Sequence, residues 1–158
     1  MNFEMPDFAL ALPEIFVLGM GCLILIVDLF LSERSRVVTY LLSQATLVGA
    51  FVLTLGTFMS GTTAVSFSGT YIIDPMASLL KLFIYGSAFT VFLYAREYLQ
   101  QRNMFKGEFY LLGLFGVLGM MVMVSAHNFL TIYLGLELLS LSMYALVALQ
   151  RDSAAASE

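Results

Sequence analysis

The chain has 158 residues, of which only seven are Lys or Arg and eleven are Asp or Glu, against 60% hydrophobic residues and a mean hydropathy of +0.92. A soluble domain of this length carries roughly 40 charged residues, and a globule this small cannot hide so much apolar surface from water. A net charge of −4 excludes an electrostatic footprint for nucleic acid, and the single Cys22 and single His127 exclude a disulfide framework and a Cys- or His-built metal or haem centre within this chain.

An integral membrane protein remains. A spanning helix needs about 20 mostly apolar residues to cross a hydrocarbon core about 30 Å thick. The first such segment is 12–31, with Pro13 and Glu14 in its first turn and Asp28 near its far end. The acidic residues before it, Glu4 and Asp7, lack the basic character of a secretory leader, so this span is expected to stay in the mature protein. The second segment, 37–59, follows Arg34 and Arg36. Gly61, Gly69 and the short runs 64–67 and 71–73 then fit a small outer hairpin. Pro75 after Asp74 reads as a helix start and opens the third segment, 76–95. The fourth, 109–125, carries Gly113, Gly116 and Gly119 as a small-residue ridge for close helix packing. Ala126-His127-Asn128 predicts a tight polar turn, with His127 as its cap rather than a ligand, before the fifth segment, 129–149. No alternating ten-residue strand pattern supports a barrel, and lipid leaves helices as the alternative. The predicted fold is an all-α polytopic transmembrane helical bundle, a single membrane region of five spans.

Charge sets the expected orientation. Arg34, Arg36, Arg96, Arg102, Lys106 and Arg151 all follow odd-numbered spans, whereas the N-terminus, the 60–75 stretch and the 126–128 turn have no Lys or Arg. The positive-inside rule then places the N-terminus outside and the C-terminus inside, as five spans require.

Four ionisable residues fall within the spans: Glu14, Asp28, Lys81 and Glu137. Each central charge costs about 2.5–3.5 kcal/mol on insertion scales and so calls for a partner or a pathway. Glu14, beside Pro13, reads as a first-turn carboxylate that complements the helix N-terminus and reaches water. Asp28 reads as a solvated end or a partner of Arg34 and Arg36, with a subunit contact as the alternative. Glu137 lies about 14 Å into its span, too deep for a short side chain to reach water. Tyr133, Ser140 and Tyr144 share its helix face and make a polar stripe around it. A carboxylate balanced between desolvation and a nearby cation can load and release a proton, which makes Glu137 the candidate relay. Lys81 is the candidate cation. It shares a face with Asp74, Ser78 and Tyr85, and three readings stay open: it pairs with Asp74, near the outer surface, it pairs with Glu137, across the bundle, or it snorkels outward past Asp74.

The run Gly135-Leu-Glu137-Leu-Leu-Ser140-Leu-Ser-Met-Tyr144-Ala-Leu-Val resembles the fifth-helix signature of the subunit N family of proton-pumping NADH:quinone oxidoreductase (complex I). Leu12-Pro13-Glu14-Ile15, Asp28-Leu-Phe, Asp74-Pro75-Met76-Ala77 with Lys81, and Glu108-Phe-Tyr-Leu-Leu agree, in order along the chain. The resemblance implies that Glu137 matches the family's membrane glutamate, which pairs with a lysine and switches protonation state during pumping. It also implies an N-terminal fragment in an energy-coupling membrane, the cell inner membrane in bacteria. The lysines of later broken helices would lie beyond Glu158, so this stretch alone is expected to be inactive. Ser142 stands where relatives commonly have proline, which puts the local kink in question.

The implied role is membrane-embedded proton translocation driven by electron transfer from NADH to quinone. NADH, flavin, iron–sulfur clusters and quinone belong to other subunits, and no cofactor is expected in this chain. The implied partners are the other membrane subunits of complex I and the lipid bilayer. Two rivals stand beside this reading: a subunit of a multisubunit cation/proton antiporter, and a truncated non-catalytic membrane scaffold packed through its glycine ridge.

Overall fold

A computed structural model describes residues 8–31, 37–101 and 107–149. Their elements are α1 (Leu12–Phe30), α2 (Val37–Ser60), β1 (Ala64–Ser66), β2 (Tyr71–Ile73), α3 (Pro75–Gln101), α4 (Gly107–Val124) and α5 (Phe129–Ala148). All five helices are long and apolar enough to cross a membrane, as the hydropathy predicts. The third departs most from its expected span. α3 continues six residues past Ala95, so Arg96 and Glu97 sit on the helix rather than in the loop after it. At 27 residues it is about 40 Å long, more than a hydrocarbon core of about 30 Å requires. Arg96 uses the extra length to stack over the Tyr40 ring of α2, 4.9 Å from its centroid.

α4 is the axis of the bundle. It touches α1, α2, α3 and α5, and its Leu111, Leu114, Val117, Leu118 and Met121 are buried. Val17 and Ile24 from α1, Leu47 and Ala50 from α2, and Tyr85 and Phe92 from α3 complete one core. α5 packs chiefly on α4, through glycine. A Cβ on Gly119 would lie 2.8 Å from the Gly135 carbonyl oxygen, and one on Gly135 would lie 2.8 Å from that of Gly119. The predicted glycine ridge therefore divides: Gly116 and Gly119 admit α5, whereas Gly113 faces the Phe92 ring of α3. α5 runs unbroken through Ser142, whose hydroxyl donates to the Leu138 carbonyl at 2.7 Å.

One end of the bundle is tied together by the hairpin. β1 and β2 pair antiparallel, Ala64 with Ile73 through Ser66 with Tyr71. The turn between them holds Phe67 and Ser68 at φ of 52° and 57°, followed by Gly69 at 84°. Two non-glycine residues in that region carry strain, and the Phe67 ring is what the turn delivers: it packs edge-on against Phe8 and Tyr71. The far edge of β2 then adopts the α4–α5 turn. Ile72 N–H donates to Ser125 O (2.9 Å), His127 N–H donates to Thr70 O (3.0 Å), and Tyr71 bridges to Ala126. Asn128 caps α5 by accepting from Thr131 N–H at 2.8 Å. The α2–α3 and α4–α5 connections thus lie at the same end of the bundle as the start of α1. The basic residues Arg34, Arg36, Arg102, Lys106 and Arg151 fall outside the described residues.

Candidate functional site: intramembrane ionisable groups

Lys81 is neither at Asp74 nor at Glu137. Its ammonium pairs with Glu14, Nζ to Oε1 at 2.5 Å, and both side chains are almost wholly enclosed, 4% and 9% exposed. It also donates to the Tyr71 hydroxyl at 3.1 Å. The geometry follows from the chain path. α1 and α3 run in the same direction, Glu14 sits about 3 Å into its helix and Lys81 about 9 Å into its own. A lysine stem spans the difference by leaning toward the hairpin end. Glu14 is therefore no solvated first-turn carboxylate, because β2 roofs it over with Tyr71.

Asp74 is occupied elsewhere, and this explains why it leaves Lys81 alone. Its Oδ1 accepts from Ala77 N–H at 2.5 Å and its carbonyl from Ser78 N–H at 3.0 Å, the pattern of a helix N-cap ahead of Pro75. Tyr85, one turn below Lys81, bonds Thr54 of α2 across 3.2 Å. The predicted Asp74–Ser78–Lys81–Tyr85 face is real as a helix face, but its members serve a cap, an ion pair and an interhelical hydrogen bond.

The Tyr71 phenol joins these groups to the surface. Its hydroxyl accepts from Lys81 and donates to the Leu10 carbonyl at 3.4 Å. Burial, and next the negative charge of Glu14, push its ionisation well above the ordinary tyrosine range, so it remains a neutral phenol.

Glu137 occupies different surroundings. Gly135 and Ser142 of α5 are buried, whereas Tyr133 and Tyr144 are 56% and 71% exposed. Glu137 and Ser140 lie between these extremes. The predicted polar stripe thus faces away from the core of the four-helix cluster. The Tyr133 hydroxyl hydrogen-bonds the Glu137 carboxylate, and no cation partner reaches it among the described residues. At the opposite end of the bundle Asp28 accepts from Thr39 Oγ1 at 2.6 Å, and its carboxylate lies against Gly107 at the start of α4. Its expected partners Arg34 and Arg36 are outside the described residues.

Sequence reasoning missed the Glu14–Lys81 pairing. The available signal was opposite charges at comparable depth on helices one apart in the chain and parallel in direction. Among the described residues no group of three or more His, Cys, Asp or Glu side chains gathers to hold a metal.

These features define a polytopic helical membrane protein with ionisable side chains on its membrane-length helices. The bundle shares the fold of part of a solved chain: it superposes on a chain of respiratory complex I from Thermus thermophilus with bound aureothin at a TM-score of 0.72. That match has 24% identity and covers 85% of this chain and 28% of the other. No family model matches the sequence. Curated relatives do. NADH-quinone oxidoreductase subunit N of Thioalkalivibrio sulfidiphilus is 57% identical over all 158 residues, which are 33% of that protein. The subunit N of Alkalilimnicola ehrlichii is 52% identical over 157 residues, 99% of this chain and 32% of that protein. The chain is thus related along its entire length to NADH-quinone oxidoreductase subunit N, and it spans about a third of the length of these relatives. With five membrane-length helices and bacterial relatives of this kind, it is a multi-pass inner-membrane protein.

Proposed function

We propose that this chain is the stretch of a subunit N that carries a proton-relay carboxylate, Glu137, within proton-translocating NADH:quinone oxidoreductase. The observation that carries the reading is the placement of Glu137. It sits mid-helix on a polar face of α5 that the α1–α4 cluster does not enclose, hydrogen-bonded to Tyr133. A carboxylate at that depth is neutralised by taking a proton or by a cation from outside these helices. Gain and loss of such a partner is what a relay step needs, and Ser140 and Tyr144 extend the hydroxyl-bearing face along which water can be held. Lys81 has no part in this step, because Glu14 already neutralises it.

The rest of the assignment rests on the relatives' names. Electron transfer from NADH to quinone, with its flavin and iron–sulfur centres, is the work of other subunits, and the partners of this chain are the neighbouring membrane subunits. The hairpin end faces outward, in line with the distribution of basic residues. A strain lacking its subunit N, supplied with a full-length subunit carrying this stretch, should recover quinone-linked NADH oxidation with proton translocation. Recovery of sodium or potassium exchange without quinone-linked activity would refute the reading in favour of an antiporter.

A further inference from the structure

The Glu14–Lys81 pair is untouched by the account of Glu137, and its polar capacity is only partly used. A carboxylate offers two oxygens and an ammonium three N–H groups. Lys81 commits one N–H to Glu14 Oε1 and a second to the Tyr71 hydroxyl. Glu14 Oε2 is buried with no hydrogen-bond partner among the described residues. So is the hydroxyl of Ser125, a residue with no exposed surface at the end of α4. Both groups also lie within reach of the one Tyr71 phenol, whose oxygen can accept from Ser125 and whose single hydrogen Glu14 competes for with the Leu10 carbonyl, so Tyr71 alone does not satisfy them all. Four elements therefore converge on one polar point: α1, β2, α3 and the end of α4.

Unpaired polar atoms at this depth are costly, about 1–3 kcal/mol each and more where the group is charged. Folded proteins meet such a deficit with ordered water bound through two to four hydrogen bonds. We propose that Glu14, Lys81, Ser125 and Tyr71 hold an internal water, and that this hydrated ion pair exchanges protons with the hairpin side of the membrane, separately from Glu137. The water donates to Glu14 Oε2 and accepts from the third Lys81 N–H or from Ser125. Tyr71 links it outward, since the phenol accepts from Lys81 and donates to Leu10, where the chain enters α1. In the exchange step a proton arriving from the hairpin side protonates the internal water, which passes one proton to the Glu14 carboxylate. The neutral acid that forms returns the proton by the reverse path, so no other reactant is consumed.

One turn or more deeper lie Val17, Leu47, Ala50, Leu114 and Val117, all buried and apolar. The titratable and polar groups that face the pair are Tyr85 from α3, Tyr71 from β2 and Ser125 from α4, with Thr54 of α2 behind Tyr85. Asp74 is held in its cap.

The test uses the assembled complex containing the full subunit. A structure at a resolution that shows water should place one within hydrogen-bonding distance of Glu14 Oε2 and Ser125 Oγ, and Ser125→Ala should remove it. Infrared difference spectra across a pH step should show a carboxyl band that Glu14→Gln abolishes and Glu137→Gln retains. A dry site, or a full set of carboxyl bands in Glu14→Gln, overturns the proposal. If Glu14→Gln does not assemble, Ser125→Ala decides. It leaves the ion pair intact and should slow hydrogen–deuterium exchange at the Glu14 carboxyl severalfold; an unchanged exchange rate contradicts the proposal.

Discussion

Replacing Lys81 with Met should strongly destabilise the hairpin end of the bundle. The substitution keeps the length of the side chain and removes the cation, leaving Glu14 buried beside Tyr71 with no counter-charge. At 2.5 Å, two unit charges attract by about 7 kcal/mol if the effective dielectric is about 20. Desolvation of both partners offsets part of this, and breaking a buried pair by removing one member costs about 3–5 kcal/mol. The same range applies to Glu14→Gln, which strands the ammonium instead. Combining the two changes removes both charges, so the double variant should lie well above the sum of the singles, with a coupling of at least ~2 kcal/mol. The assay is a double-mutant cycle on denaturant- or heat-induced unfolding of the full-length subunit in lipid nanodiscs. Additive single effects would show that the pair does not form, and the arrangement around Tyr71 would have to be withdrawn.

Other consequences are as direct. Gly119→Ala puts a methyl group into the backbone of α5, 2.8 Å from Gly135 O, and should cost about 1–3 kcal/mol. Gly56→Ala, with nothing within 4 Å of the new atom, should be neutral or gain up to about 1 kcal/mol, as the same unfolding assay will show. Tyr71 ionises less readily when folded than when unfolded, so its contribution is complete below its ordinary value of about 10 and is lost as pH rises toward the folded value. Stability measured from pH 8 to 11 should therefore fall more steeply in the parent than in Tyr71→Phe. With Cys22 replaced by Ser, cysteines placed at Thr62 or Ser68 should react with an impermeant thiol reagent from outside, and one at Glu97 should not. The reverse pattern would invert the proposed orientation.

Much of the architecture can be read from the one-dimensional pattern because lipid simplifies the problem. A run of apolar residues about 20 long has few options but a helix, and Asp74-Pro75 marks a helix start through the same local chemistry that the structure displays, whereas at the polar turn before α5 the cap is Asn128 and not the expected His127. Gly69, with the short runs on either side, similarly points to the hairpin. The end of α3 is less legible, since Arg96 reads as a loop residue until its stacking on Tyr40 is seen. The charge partnerships are least legible of all. Asp74 and Lys81 share a helix face, which leaves Asp74 open as a partner beside Glu137, but the capping hydrogen bonds of Asp74 compete locally and win. Glu14 reaches Lys81 only because α1 and α3 meet at that depth under β2, a relation between helices that no periodicity within one helix encodes. The glycine ridge is legible as a packing device, yet which partner each glycine admits depends on the crossing of α4 with α3 and α5.

The central claim is that Glu137, and not the buried Lys81 pair, is the relay on α5. It is tested most directly by reconstituting the whole complex with Glu137→Gln in the full-length subunit and measuring protons translocated per NADH oxidised. The account predicts that coupled translocation falls while the complex still assembles, and that Glu137→Asp retains part of it. An unchanged ratio of protons to NADH in Glu137→Gln would contradict the assignment.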